Sequence, residues 1–297
     1  MNAHLAALIN RLQEQPSHTG SLIVTLMGDA IMPRGGVVAL STILELTAAL
    51  GISAGVVRTA ISRLAADGWL LASRQSRASY YEIGAARRGA FVRASRHIFG
   101  PARRPHVDRL CLILLEASEA REAVRERLTR LGFVAWQGVM IAPDRPLPPS
   151  VAANVLAFTA EASGDTLVRL AAKAWRLDAL SALYETFIRT YGEIAGEIAG
   201  FTPRDVMLTR ILLVHDYRRM VLRDPRLPAA FLPDCWAGAT ARALCAALYA
   251  ALLPPSESWL DQHAITQAGR LPPADSTLGH RFADLPGGST RLGTGQE

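Results

Sequence analysis

The segment from Ser41 to Ile83 constrains the fold more than any other, because it sets two amphipathic helices around a turn of only three residues. Ser41 or Thr42 can cap a first helix carrying Ile43, Leu44, Leu46, Thr47 and Leu50, and Gly51 ends it. Gly51-Ile52-Ser53 turns the chain, and Ser53 caps a second helix running to Asp67 with Gly68 as its stop. Val57, Ala60, Ile61 and Leu64 recur at three- and four-residue spacing and line one face of that helix. Arg58, Thr59, Ser62 and Arg63 lie on the opposite face. A short glycine-containing turn between two helices is what a helix-turn-helix requires, and the polar face is that of its recognition helix.

Two strand-like pieces follow, Trp69–Ala72 and Ser79–Ile83, joined by the polar connector Ser73-Arg74-Gln75-Ser76-Arg77-Ala78. This is a hairpin with a basic tip, and the order helix, turn, helix, hairpin predicts a winged helix-turn-helix. Arg58, Thr59, Ser62 and Arg63 are then the candidates for contact with base edges or phosphates, against the plainer reading of a solvated helix face. Arg74 and Arg77 suit phosphates, and Gln75 suits either partner. Tyr80 and Tyr81 alternate across a strand, so one faces the core, and Tyr80 joins the candidate DNA contacts.

The charge distribution agrees. The net charge is +6, yet residues 1–105 hold twelve arginines against five acids, while the rest of the chain holds 20 basic and 21 acidic groups. A basic head on a neutral body fits nucleic-acid binding. Lys173 is the only lysine, and a GC-rich genome would also favour arginine. No apolar run reaches the roughly 18 residues of a membrane span, and the N-terminus lacks the pattern of a secretory signal. Cys111, Cys235 and Cys245 form no CxxC pair and read as reduced, mostly buried thiols of a cytoplasmic protein.

The remaining pattern extends the head and adds a body. Residues 21–27 predict a core helix, Pro33–Gly36 a turn, and 85–99 a basic amphipathic helix. Pro101–Pro105 reads as a linker. Beyond it come a strand at 109–116, a helix capped by Ser118 and closed by Gly132, a strand at 133–141 and a third at 155–159. That order suggests a ferredoxin-like domain. From Thr166 the pattern is helical, with further helices at 204–220 and 238–253. After Pro254-Pro255 it loses periodicity. The expected architecture is α+β, with a winged head over 1–100 and a ferredoxin-like middle domain over 106–165. A helical C-terminal effector and dimerisation domain over 166–260 and a flexible tail over 261–297 complete it.

Three stretches resemble a known family. SLIVTLMGDAIMPRGG, VVRTAISRLAADGWL and SRASYYEI are similar to the head of the PaaX-like regulators, repressors of phenylacetic-acid catabolism. The block over 215–252, with Arg-Asp-Pro-Arg-Leu-Pro and a later Leu-Pro-Asp-Cys-Trp-Ala-Gly, looks like that family's C-terminal segment, and 175–187 is a weaker match. The resemblance implies a homodimer that represses an aromatic-acid catabolic operon and leaves operator DNA when an aryl-CoA thioester such as phenylacetyl-CoA binds. One departure concerns the hairpin. Where the family reads Gly-Arg-Arg-Ser-Tyr-Tyr-Arg, this chain has Ser76-Arg77-Ala78-Ser79-Tyr80-Tyr81-Glu82, which weakens the expected phosphate grip.

A CoA ester needs clustered cations beside an apolar slot. Lys173 and Arg176 beside Trp175, and Arg218, Arg219 and Arg223 beside Tyr217, are the candidate effector contacts, with solvated helix faces as the alternative. No HExxH, GxSxG, GxGxxG or P-loop pattern is present, and no catalytic residue, metal or cofactor is expected. The competing reading is an enzyme acting on acyl-CoA or nucleic acid with the winged domain as an accessory. It would draw on His215-Asp216, or on Asp108 and Glu116 at the ends of the first body strand.

Overall fold

The structure, a computed structural model, describes residues 2–14, 19–101, 107–116 and 120–285. It is a mixed α+β chain. Its elements in order are α1 (Ala3–Gln13), α2 (Thr19–Leu26), β1 (Val37–Ala39), α3 (Leu40–Ala49), α4 (Ala54–Ala66), β2 (Leu70–Gln75), β3 (Ala78–Ile83) and α5 (Ala85–Phe99). There follow β4 (Arg109–Leu114), α6 (Arg121–Arg130), β5 (Val134–Trp136), β6 (Val139–Pro143), α7 (Pro149–Ala152), β7 (Leu156–Glu161), α8 (Gly164–Ala174) and α9 (Leu177–Ala195). Last come α10 (Pro203–Val221), α11 (Ala237–His263), β8 (Ile265–Thr266) and β9 (Gly269–Arg270). The chain forms two compact units. One gathers Met1–Pro101, Thr186–Leu222 and Thr240–Glu297; the other gathers Ala102–Glu185 and Arg223–Ala239.

In the first unit, α3, the turn at Gly51 and α4 lie beside a three-stranded sheet of order β1-β3-β2. Gly51 takes φ 75°, a left-handed conformation that glycine adopts without a Cβ clash, and this lets α3 stop after ten residues. Val57 and Ile61 of α4 are buried, as their spacing requires. The strand β1 had no signal in the sequence: Val37, Val38 and Ala39 are too short a run to read, and they pair with Glu82, Tyr81 and Tyr80. A π turn, Met27–Ile31, joins α2 to the Pro33 turn and carries the buried Asp29.

Three expectations about the C-terminal half need correction. Residues 166–260 are not one helical domain, because α10 and most of α11 belong to the unit that holds the head. The reason is visible in α10, where Val206 to His215 are buried without a break, as in a helix running through a core. Nor does α11 end at Pro254-Pro255; it continues to His263, with Ser256, Glu257, Trp259 and Leu260 buried beyond the prolines. Tertiary packing here outweighs the backbone bonds that proline removes. Finally, 261–285 is folded. Asp275 N–H donates to the Pro33 carbonyl at 2.7 Å, Phe282 N–H to the Phe99 carbonyl at 2.9 Å, and the Phe282 ring is 1 % exposed. The remainder of the expected tail, 286–297, lies outside the described residues.

An ionic cluster holds the first unit together. Arg210, fully buried, donates through Nε to Asp29 at 2.8 Å and through Nη1 to Glu257 at 2.5 Å. Arg34 donates to Glu257 and Asp261, both at 2.7 Å, and Arg281 pairs with Asp29. The Tyr249 hydroxyl donates to Asp29 at 3.0 Å and accepts from Arg210 at 3.2 Å. Three guanidinium groups thus meet three carboxylates. Burial alone would push the Arg210 guanidinium towards deprotonation, but Asp29, Tyr249 and Glu257 outweigh it and raise its pKa. By length and hydropathy α11 could cross a membrane, yet it is packed largely inside this unit and carries Arg242 and Glu257, the pattern of a core helix.

The second unit is a four-stranded antiparallel sheet of order β5-β6-β4-β7, with chain order β4-α6-β5-β6-α7-β7. Cys111, Ile113, Leu128, Phe133, Met140, Ala142 and Val151 form its core. The single strand expected over 133–141 is a hairpin instead. Gln137 and Gly138 take φ 48° and 86°, the left-handed pair of a tight two-residue turn. Ser118, expected to cap α6, and the linker residues 102–105 lie outside the described residues. Two thiols are buried, Cys111 and Cys245, and burial raises both pKa values; Cys235 is exposed.

Candidate nucleic-acid interface

The sequence-derived DNA contacts divide between α4 and the β2–β3 hairpin. Opposite the buried Val57 and Ile61, the side chains of Arg58, Thr59, Ser62 and Arg63 are all exposed. Arg58 and Arg63 make no side-chain hydrogen bond or ion pair among the described residues, so five donors on each remain available. Thr59 differs: its hydroxyl donates to the Gly55 carbonyl at 3.0 Å, which leaves only its acceptor side. Val56, 49 % exposed, adds an apolar contact on this helix that helical spacing alone did not single out.

The hairpin is tighter than its sequence suggested. Arg74 and Gln75 belong to β2, paired with Ser79 and Ala78, so only Ser76 and Arg77 form the connection. Ser76 takes φ 54° to make that turn. Arg74, Gln75 and Arg77 are exposed. Tyr81 shares a face with Leu70, Ile83 and Val38 through the strand register, which makes it the core-facing tyrosine. Tyr80 lies on the other face, opposite Ser73 and Ala39. That face is partly occupied, because Gln267 donates to the Ser73 hydroxyl at 2.5 Å and β8–β9 pairs as a small hairpin nearby. Nothing in the sequence pointed to that contact, since Gln267 lies 194 residues from Ser73.

Trp69 ties the two elements together. Its N–H donates to the Leu64 carbonyl of α4 at 2.8 Å, and its own carbonyl accepts from Gly84 at 3.0 Å. The ring meets Phe91 edge to face at 5.8 Å, and the Arg87 guanidinium lies 5.0 Å from its centroid.

The seven effector candidates divide between the two units. Lys173, Trp175, Arg176 and Arg223 belong to the second unit, and Tyr217, Arg218 and Arg219 to the first. Tyr217 is 2 % exposed with its ring 5.7 Å from Phe187, a core position rather than a slot wall. Arg218 donates to the Ser21 hydroxyl at 3.1 Å, and burial followed by the neighbouring Arg219 lowers its pKa. Asp108 and Glu116 flank β4, whose six residues at about 3.3 Å each keep them roughly 20 Å apart, too far to share a reacting atom. Among the described residues no three His, Cys, Asp or Glu side chains are grouped to hold a metal ion.

Two family models match this chain, one described as PaaX-like protein over residues 18–86 and one as PaaX-like protein C-terminal domain over 175–262. The chain belongs to the PaaX-like family. It is 33 % identical over 291 positions to the transcriptional repressor PaaX of Escherichia coli (strain K12), covering 89 % of this chain and 90 % of that one. Among solved structures it is similar to the uncharacterized protein Rv0674 from Mycobacterium tuberculosis. That likeness has a TM-score of 0.47 and 25 % identity, over 74 % of this chain and 91 % of the other. The first PaaX-like match contains every candidate DNA contact from Arg58 to Tyr80. The second takes in Trp175, Arg176 and Tyr217 to Arg223 and stops short of Lys173.

Proposed function

We propose that this PaaX-like protein is a transcriptional repressor of an aromatic-acid catabolic operon of the phenylacetate type. In this reading its head binds double-stranded operator DNA as a winged helix-turn-helix, with α4 as the recognition helix and β2–β3 as the wing. The observation that carries it is the exposed, uncommitted arginine face of α4 opposite the buried Val57 and Ile61, beside a hairpin bearing Arg74 and Arg77. The E. coli relative, a transcriptional repressor by name, supports it. Arg58, Arg63, Ser62 and Thr59 meet the major groove; Arg74, Gln75, Arg77 and Tyr80 meet the backbone beside it. The strand order β5-β6-β4-β7 with β-α-β-β-α-β connectivity supports a ferredoxin-like middle domain. The protein acts in the cytoplasm, as a regulator and not an enzyme.

Control is by an aryl-CoA thioester such as phenylacetyl-CoA, which releases the repressor by binding its DNA-incompetent arrangement more tightly. Footprinting upstream of the chain's own operon is expected to protect one inverted repeat, and anisotropy on that fragment to fall as phenylacetyl-CoA is added. No protected site at near-physiological salt would sink the repressor reading. Release by none of phenylacetyl-CoA, benzoyl-CoA or free phenylacetate would sink the effector.

The repressor works as a homodimer, because one small head gives modest affinity and two heads read an inverted repeat. Leu114 and Leu156 are opposed in register and Phe158 shares their sheet face; all three are over 40 % exposed, an apolar strip suited to a second copy. Mass photometry is expected to show a dimer that Phe158→Glu shifts towards monomer. A monomeric wild type, both free and on the operator, would exclude it.

A further inference from the structure

A cavity of ≈ 130 Å³ lies inside the first unit, between α2, α5 and α10. Its walls include the rings of Trp69, Phe91 and Phe99 and the side chains of Val214 and Leu222. An engineered cavity of about 150 Å³ takes up benzene, whereas pockets that enclose a drug-sized molecule span about 300–1,000 Å³. The space therefore suits a single six-membered ring and little else. Leu222 is 41 % exposed, so the cavity reaches the surface on that side.

Besides Ser95, three polar side chains line it. Two are committed. Thr25 donates to the Ser21 carbonyl at 3.0 Å and lies 3.1 Å from His215 Nδ1, and Asp29 is held by Arg210, Tyr249 and Arg281. The third is Arg218. One of its terminal nitrogens reaches Ser21, but its Nε–H is buried with no partner among the described residues. A buried donor of this kind costs free energy until an acceptor meets it. Burial and Arg219 further disfavour its charge, and a hydrogen bond to an acceptor oxygen would favour the charged form.

We propose that this cavity receives the aryl ring of an arylacyl ligand, whose carbonyl or carboxylate oxygen accepts from Arg218 Nε–H. The inference rests on the effector-controlled repressor described above and gives that control a location and a lever. The lever is Trp69. It forms a wall of the cavity, closes the last turn of α4 and anchors the base of β2–β3. A ring seated against Trp69 and Phe91 changes the angle between recognition helix and hairpin, the two elements that must meet DNA together. Only the acyl end fits. In a CoA ester the rest of the molecule stays outside, beyond Leu222.

The test uses the full-length protein with phenylacetate, phenylacetyl-CoA and CoA alone, read by isothermal titration calorimetry and by anisotropy on operator DNA. The wild type is expected to bind the aryl probe once per chain, with release of DNA. Ala94→Leu, which fills the cavity, is expected to abolish that binding, and Arg218→Met to weaken it about 10- to 150-fold, the value of a hydrogen bond to a charged group. Should Ala94→Leu not fold, Ala90→Val in the same wall carries the test. Binding of phenylacetate identifies the free acid as sufficient; binding of the thioester alone shows that the CoA moiety adds contacts outside. Equal aryl-probe affinity in wild type and variants would overturn the cavity and leave effector control standing. CoA alone binding as tightly as phenylacetyl-CoA would overturn the aryl slot. No binding and no release by any probe would overturn both readings together.

Discussion

Replacing Arg210 by methionine is expected to lower the melting temperature by about 6–20 °C. Removing one member of a buried ionic cluster leaves its partners charged and unpaired, at about 3–5 kcal/mol. A unit of this size loses about 2–4 °C per kcal/mol. Arg210 is fully buried and touches Asp29, Glu257, Ser256 and Tyr249, so no solvent can replace it. Methionine keeps much of the bulk, which makes the loss electrostatic and not a cavity effect. Asp261 supplies the internal contrast. It closes the same cluster through Arg34, but its side chain is 57 % exposed, and exposed pairs contribute about 0–1 kcal/mol. Asp261→Ala should therefore melt close to the wild type. Scanning calorimetry decides the matter: a wild-type melting temperature for Arg210→Met would mean that the cluster does not hold the unit together.

Arg58→Ala and Arg63→Ala are each expected to weaken operator binding by about 5- to 150-fold, from the 1–3 kcal/mol of a base-reading arginine. Neither should disturb folding, because neither side chain has an intramolecular partner among the described residues. The pattern of loss separates two roles. A base reader loses discrimination at one position of the operator; a phosphate contact weakens every sequence alike and reduces the salt slope by about one. Anisotropy on an operator library at several salt concentrations measures both. If both variants bind like the wild type while melting normally, the exposed face of α4 is not the DNA-reading surface.

The head was legible because its signals are local. The spacing of Val57 and Ile61, Gly51 at a left-handed turn and the Gly68 stop all act within a few residues, and both helices end where those signals put them; α3 starts earlier than expected, at Leu40 with Ala39 at its cap, so Ser41 and Thr42 lie inside it. The hairpin over Gln137-Gly138 was missed because its apolar strands run together without a proline or a glycine pair to divide them. What stayed hidden was long-range. Asp29 fell between the predicted helix and the Pro33 turn, Arg281 fell in the expected tail, and nothing in either neighbourhood says that they pair. The split of the effector candidates between two units was equally invisible in the sequence. Adjacent residues on one helix point in different directions, so Arg218 lines the cavity while Tyr217 turns into the core.

The cluster around Asp29 also sets a clock. Its carboxylate is made early, just before α3, yet Arg210 follows 181 residues later and Arg281 follows 252 residues later. At a synthesis rate of about 5–20 residues per second, Asp29 waits roughly 10–50 s for its last partner. Contacts this distant form late and make folding slow. A chain that stops before Arg281 leaves the Asp29 carboxylate short of one of its guanidinium partners. A chain cut short before α10 lacks both the guanidinium that meets Asp29 and the Val214 and Arg218 wall of the cavity.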